Sequence, residues 1–261
     1  MIFFGSKSRS QLRRRPLNMM NGVFYKSEWM ETGEDSLFSP TVFLAEQPSN
    51  CELAPHFHRQ NQFQLFVEGE GTIGQKRLGP VTVHYAGAYT GYGPILSGNT
   101  CLKYFTIRAV FDTGLTLSAD WRGKMIRGPK RHAEAFAGQP WTVDQLVVLQ
   151  EIQHKTVIAA DAGLGAELFR LPPNATQRLL PIEGSVGQFV FVLGGTALVE
   201  GTTLALWESA FLPAPDGAVC IAAGSQGAEI ITLHMPETAE PYRLQTAWPA
   251  AAKDRSPQTS V

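Results

Sequence analysis

Cysteine is scarce in this chain: Cys51, Cys101 and Cys220 are three in 261 residues, an odd number at wide spacings. That excludes a disulfide framework or a thiolate zinc site and makes a reducing cytosol the default compartment. Charge is scarce as well, at 17% of residues with a net value of −1, so nothing advertises a nucleic-acid partner. No apolar run approaches the roughly 20 residues that cross a bilayer. No helix-turn-helix pattern or basic recognition segment stands outside the first 18 residues. Neither a membrane nor a nucleic acid is therefore expected as a partner.

What is present points to strands. The 25 glycines and 17 prolines are spread between short apolar runs, in a chain long enough for one large domain or two ordinary ones. The ends stand apart. Residues 1 to 18, MIFFGSKSRSQLRRRPLN, carry Lys7, Arg9, Arg13, Arg14 and Arg15 with no acid, and IFF is too short for a signal-peptide core. Residues 1 to 20 accordingly read as a disordered basic extension ahead of an alternative start at Met19 or Met20, and 249 to 261 as a disordered tail.

Between the ends, SPTVFLAEQ, QFQLFVEGEGTIG, GPVTVHYAGAY and CLKYFTIRAVF are rich in β-branched and aromatic residues and bounded by turn formers. The rhythm returns later in the chain. A shift of 126 residues aligns 43 to 74 with 169 to 200 without a gap. It superposes Phe43 on Phe169, Leu53 on Leu179, Pro55 on Pro181, Gln62 on Gln188, Phe63 on Phe189 and Gly69 on Gly195. The expected organisation is an all-β duplication, with barrels at 21 to 111 and 161 to 248. Linker and bridging elements fill 112 to 160, including one helix around WTVDQLVVLQEIQH.

The stretch PHFHRQNQF, 55 to 63, puts His56 and His58 on one face of a strand, close enough to share an ion. Antiparallel pairing after the RQN turn would return Gln62 beside them, giving two imidazoles and an amide oxygen. The second copy has Ile182 and Gly184 at the histidine positions but keeps Gln188, so the histidines read as functional and the amide as framework. Gln64 shares the parity of Gln62. Tyr85, Tyr89 and Tyr92 are candidates for a pocket mouth or for an acid or base.

This stretch resembles the first motif of the cupin superfamily, HxH, three or four residues, Glu, six residues, Gly, with His56, His58, Gln62 and Gly69 in its register. The resemblance implies a bicupin, two fused double-stranded β-helix (cupin or jelly-roll) barrels, with the second one degenerate. It implies His56, His58 and Gln62 as ligands of a divalent transition metal, Fe, Mn, Zn or Ni. The family's second motif ends in a histidine ligand, but neither ESAFLPAPDG nor AGAYTGYGPILSGN has one, so the metal holds an open site, or takes His84, or is absent. The expectation is a metal-binding enzyme of dioxygenase or isomerase/lyase type, with Tyr89 and Tyr92 as catalytic candidates and Gln64 and Tyr85 against the substrate. The alternative is a small-ligand-binding cupin without metal. Homodimers through outer strands are compatible with either.

Overall fold

The computed structural model describes residues 1–19, 21–31, 38–117 and 121–246. Two sheets carry the architecture. One has seven strands in the order His132–Phe136, Thr82–Ala86, Gln62–Glu68, Leu102–Arg108, Thr41–Gln47, Gly22–Glu31 and Arg14–Met19. The other has eight, built on the long antiparallel pair Ser185–Val199 and Val219–Pro236. A four-stranded sheet, Glu52–Leu53, Ile95–Ser97, Gly71–Ile73 and Lys76–Leu78, closes the first barrel.

Alternation along the strands makes two kinds of interior. In Gln62–Glu68 the residues Phe63 and Leu65 face outward into a core shared with Phe189, Phe191, Phe211 and Leu233 of the second half. Phe105 meets Phe191 there with ring centroids 5.3 Å apart. Phe66 faces inward, among Phe24, Leu53, Ile95 and Tyr104. The second barrel fills its own interior with Phe169, Val190, Val192, Leu212 and Ile230. Each fully buried side chain of this kind contributes about 1.5–3 kcal/mol.

The internal repeat has a physical basis in its glycines. Gly69 (φ 82°) and Gly195 (φ 66°) both lie in the left-handed region. A Cβ would come 2.2 Å from the Cys101 carbonyl oxygen in the first case and 2.1 Å from that of Gly227 in the second. Both copies thus need a residue without a side chain at this shared position.

Three expectations are corrected. Residues 1–19 are not a disordered extension: Phe3–Gly5 pairs with Ser209–Pro213 of the second half, and Arg14–Met19 pairs with Gly22–Glu31 of the first. The basic residues that suggested disorder find acids, Arg13 on Glu31, Arg14 on Glu46 and Arg15 on Glu28, so their charge is complementary rather than surplus. The segment between the copies is divided, with His132–Phe136 on the first sheet and Gln153–Asp161 on the second. Its helix is only Val143–Val147, opened by a Thr142/Gln145 capping box, because Gln153 onward is recruited to the sheet. The tail 249 to 261 lies outside the described residues.

Candidate functional site

His56 is held by backbone and side chain together. The two-residue strand His56–Phe57 pairs with Thr116–Leu117, and His56 exchanges backbone hydrogen bonds with Tyr92 at 3.1 and 3.0 Å. Gln62 therefore does not return through a hairpin as expected, because the preceding strand belongs to another ladder. It reaches the histidines through other side chains. His56 Nδ1 donates to the Ala54 carbonyl at 2.8 Å, which leaves Nε2 to accept from the Tyr92 hydroxyl at 2.9 Å. The Gln62 amide nitrogen donates to the same hydroxyl oxygen.

The other end of Gln62 meets a residue the motif gave no reason to expect. Arg108, the last residue of strand Leu102–Arg108 and only 4% exposed, donates to Gln62 Oε1 from Nε at 3.1 Å and from Nη2 at 2.7 Å. The same Nη2 lies against the His58 ring, 3.2 and 3.4 Å from its two nitrogens. His58 Nδ1 donates to Asp112 Oδ1 at 3.0 Å. Asp112 is oriented by backbone N–H groups of Arg59 at 3.0 Å and Gly114 at 2.8 Å. The result is a continuous network, Asp112–His58–Arg108–Gln62–Tyr92–His56.

Its electrostatics follow from burial and from one guanidinium. Burial pushes His56 down to about 3, with His58 adding to the effect. His58 is also lowered, first by burial and then by Arg108, against the pull of Asp112. Burial alone would raise Asp112, but Arg108 and the His58 hydrogen bond hold it below the usual carboxylate range. Tyr92 is pushed well up, chiefly by burial. At neutral pH the network holds two neutral imidazoles, one carboxylate and one guanidinium.

Arg108, His56, His58, Tyr92, Asp112 and Gln64 line a cavity of about 430 Å³. Phe24, Phe43, Leu53 and Tyr104 form apolar walls, and Arg15, Leu17 and Met19 of the N-terminal strand complete them. Of the residues expected at a site, His56, His58, Gln62, Gln64 and Tyr92 are brought together. Tyr85 is not: its side chain faces outward into the shared core, 5.0 Å from the Phe63 ring, because it has the opposite parity from His84 on the same strand. Tyr89 is elsewhere too, packed with Phe57 and Tyr242. His84 turns inward but bonds Gln64 Oε1 at 2.9 Å and His132 Nε2 at 2.8 Å. Arg108 and Asp112 were missed. The available signal was parity, since an arginine shares the inward face of Leu102, Tyr104 and Thr106.

No family model and no curated protein matches the sequence. Solved structures do match it. An oxalate decarboxylase variant from Bacillus subtilis is 9% identical at TM-score 0.59, over 91% of this chain and 78% of that one. Bacterial pirin from Escherichia coli in complex with nickel(II) is 14% identical at TM-score 0.55, over 90% and 99%. An 11S globulin from Wrightia tinctoria, whose structure reveals an auxin binding site, is 12% identical at TM-score 0.56, over 87% and 84%. The fold is that of a bicupin. At these identities the likeness concerns the fold alone.

The first barrel does not fit a metal ion. Among the described residues no three His, Cys, Asp or Glu side chains gather in a way that could hold one. Two of the three lone pairs expected to face an ion are engaged: His56 Nε2 by Tyr92, and Gln62 Oε1 twice by Arg108. The guanidinium bonds Gln62 Oε1 and lies beside the His58 ring, so an ion shared by these two side chains would sit next to a fixed positive charge. A dication within about 4 Å of it would meet repulsion on the order of 8 kcal/mol at an effective dielectric of about 20. None of the three expected ligands is a carboxylate that would offset that cost directly. No helix among the described residues is long and apolar enough to cross a membrane.

Proposed function

We propose that this bicupin is a metal-independent binding protein for a small organic molecule, held in the cavity of the first barrel. The observation that carries the reading is Arg108, a buried guanidinium bonded to Gln62 and seated against the His58 ring, which puts a fixed positive charge among the expected ligands. The cavity is of the size and composition of a small-molecule site, apolar walls with a few convergent polar groups. The auxin binding site revealed in the Wrightia globulin is in keeping with a bicupin that holds a ligand. The nickel(II) of the pirin complex belongs to that protein, and holding such an ion here would need the Gln62 oxygen that Arg108 engages. The test is elemental analysis of protein purified without chelators. Substoichiometric metal is expected; about one transition-metal ion per chain, lost in the double variant His56→Ala/His58→Ala, would restore the metal-enzyme reading.

One observation favours a second reading, proton transfer without a metal. Asp112 fixes the proton of His58 on Nδ1, leaving Nε2 with a lone pair beside a cationic group at the cavity wall. Under that reading His58→Gln retains ligand binding and loses turnover; equal loss of both counts against it.

A further inference from the structure

We infer that the ligand of the first barrel is a monoanionic organic acid with an apolar body, its carboxylate seated on the Arg108 guanidinium. The inference rests on the metal-free reading above. Arg108 spends Nε and Nη2 on Gln62 and His58, while Nη1 makes no hydrogen bond among the described residues, although Arg108 lines the cavity. Two N–H bonds of a buried guanidinium are thus left for whatever enters. A carboxylate is the group that such a donor edge accepts best, in short charge-assisted bonds.

Charge around the cavity agrees. Among the described residues, counted with their ion-pair partners, Arg13, Arg15, Lys26 and Arg108 face Glu28, Glu31 and Asp112, an excess of one positive charge. Glu28 is shared by Arg15 at 2.7 Å and Lys26 at 2.8 Å, so the surplus is not cancelled at the rim. Both site histidines are pushed toward the neutral form, so neither adds charge that would call for a second anion. A dianion would leave one charge uncompensated against Phe24, Phe43, Leu53 and Tyr104, and a cation would meet Arg108. A neutral apolar ligand would leave the Nη1 donors desolvated and unpaired. The remaining class is a single carboxylate on an aromatic or aliphatic body, of a size suited to a cavity at the small end of ligand sites.

The test compares shape-matched ligands on the intact chain by calorimetry and thermal shift: 4-phenylbutyrate and decanoate, 4-phenylbutyramide as the uncharged isostere, and oxalate as a small dianion. The expected result is binding of the monoacids with at least about 10-fold preference over the amide. Arg108→Met should abolish that preference and Arg108→Lys should keep part of it. Equal binding of acid and amide by the wild-type chain, preference for oxalate, or no binding by either acid would overturn the inference. The acid-to-amide comparison uses wild-type protein and does not depend on the variants folding. Metal content measured on the same preparation separates the two claims: metal-free protein indifferent to acids defeats this inference only, whereas metal-loaded protein defeats the reading beneath it.

Discussion

At Gln62 a single buried amide is held from both ends, its oxygen by two N–H bonds from Arg108 and its nitrogen by the Tyr92 hydroxyl. Gln62→Leu would strand a guanidinium and a phenol in the barrel. A loss of roughly 2–4 kcal/mol in urea unfolding is expected, and a loss under about 0.5 kcal/mol would show the network to be ornamental. The histidines set a pH dependence whose sign is fixed. His56 folds with its value depressed from 6.5 to about 3, so the unfolded chain takes up the proton first. Its contribution is whole above about pH 6.5 and is lost as pH falls toward 3; Asp112, also depressed, extends the loss further into acid. Unfolding free energies measured from pH 7 to 4 should therefore decline, with a shallower decline in His56→Gln. A flat profile would contradict the assignment of His56 as buried and neutral. The sequence showed this residue pair clearly, through HxH spacing and its loss in the second copy. It did not show Arg108, because the motif directs attention to donors around an ion and not to a cation replacing it.

Among the elements, the strand Arg14–Met19 departs most from expectation. It ends the seven-stranded sheet, carries Pro16 where an edge tolerates it, and supplies Arg15, Leu17 and Met19 to the cavity wall. Composition read it as disordered because its cations have no acids nearby in sequence; their partners, Glu28, Glu31 and Glu46, are 13 to 32 residues away. Removing residues 1–19 should lower the midpoint of thermal unfolding by several degrees and weaken ligand binding, since Glu28 loses Arg15 and the cavity loses a wall. Unchanged binding by the truncated chain would remove the arm from the site. The repeat makes a sharper test of element geometry. Gly69→Ala and Gly195→Ala should each cost more than about 1 kcal/mol, for the same two reasons of positive φ and a carbonyl in the path. Tolerance at either position would break the structural equivalence of the copies.

At the scale of the whole molecule the two halves are joined by more than sequence. Phe63, Leu65, Phe105 and Ile107 of the first sheet and Phe189, Phe191, Ile231 and Leu233 of the second form one core, and Asn61 crosses to the Pro236 carbonyl at 3.0 Å. The all-β class and the duplication were legible, because period-two alternation and the aligned Phe, Gln and Gly positions report local geometry directly. Which face of each strand meets the partner barrel was not legible, and Tyr85 shows why: parity relative to His84 is evident, but which parity is the cavity depends on the other barrel. Whether Arg108 keeps a cation from the histidines is decided by calorimetric titration of the metal-free chain with Ni(II), Zn(II), Mn(II) and anaerobic Fe(II). No binding by wild type is expected, and a gain of binding in Gln62→Glu/Arg108→Gln, where the guanidinium is gone and a carboxylate joins the two imidazoles. Stoichiometric binding of one ion by wild type, abolished in His56→Ala/His58→Ala, would refute exclusion of the cation by Arg108.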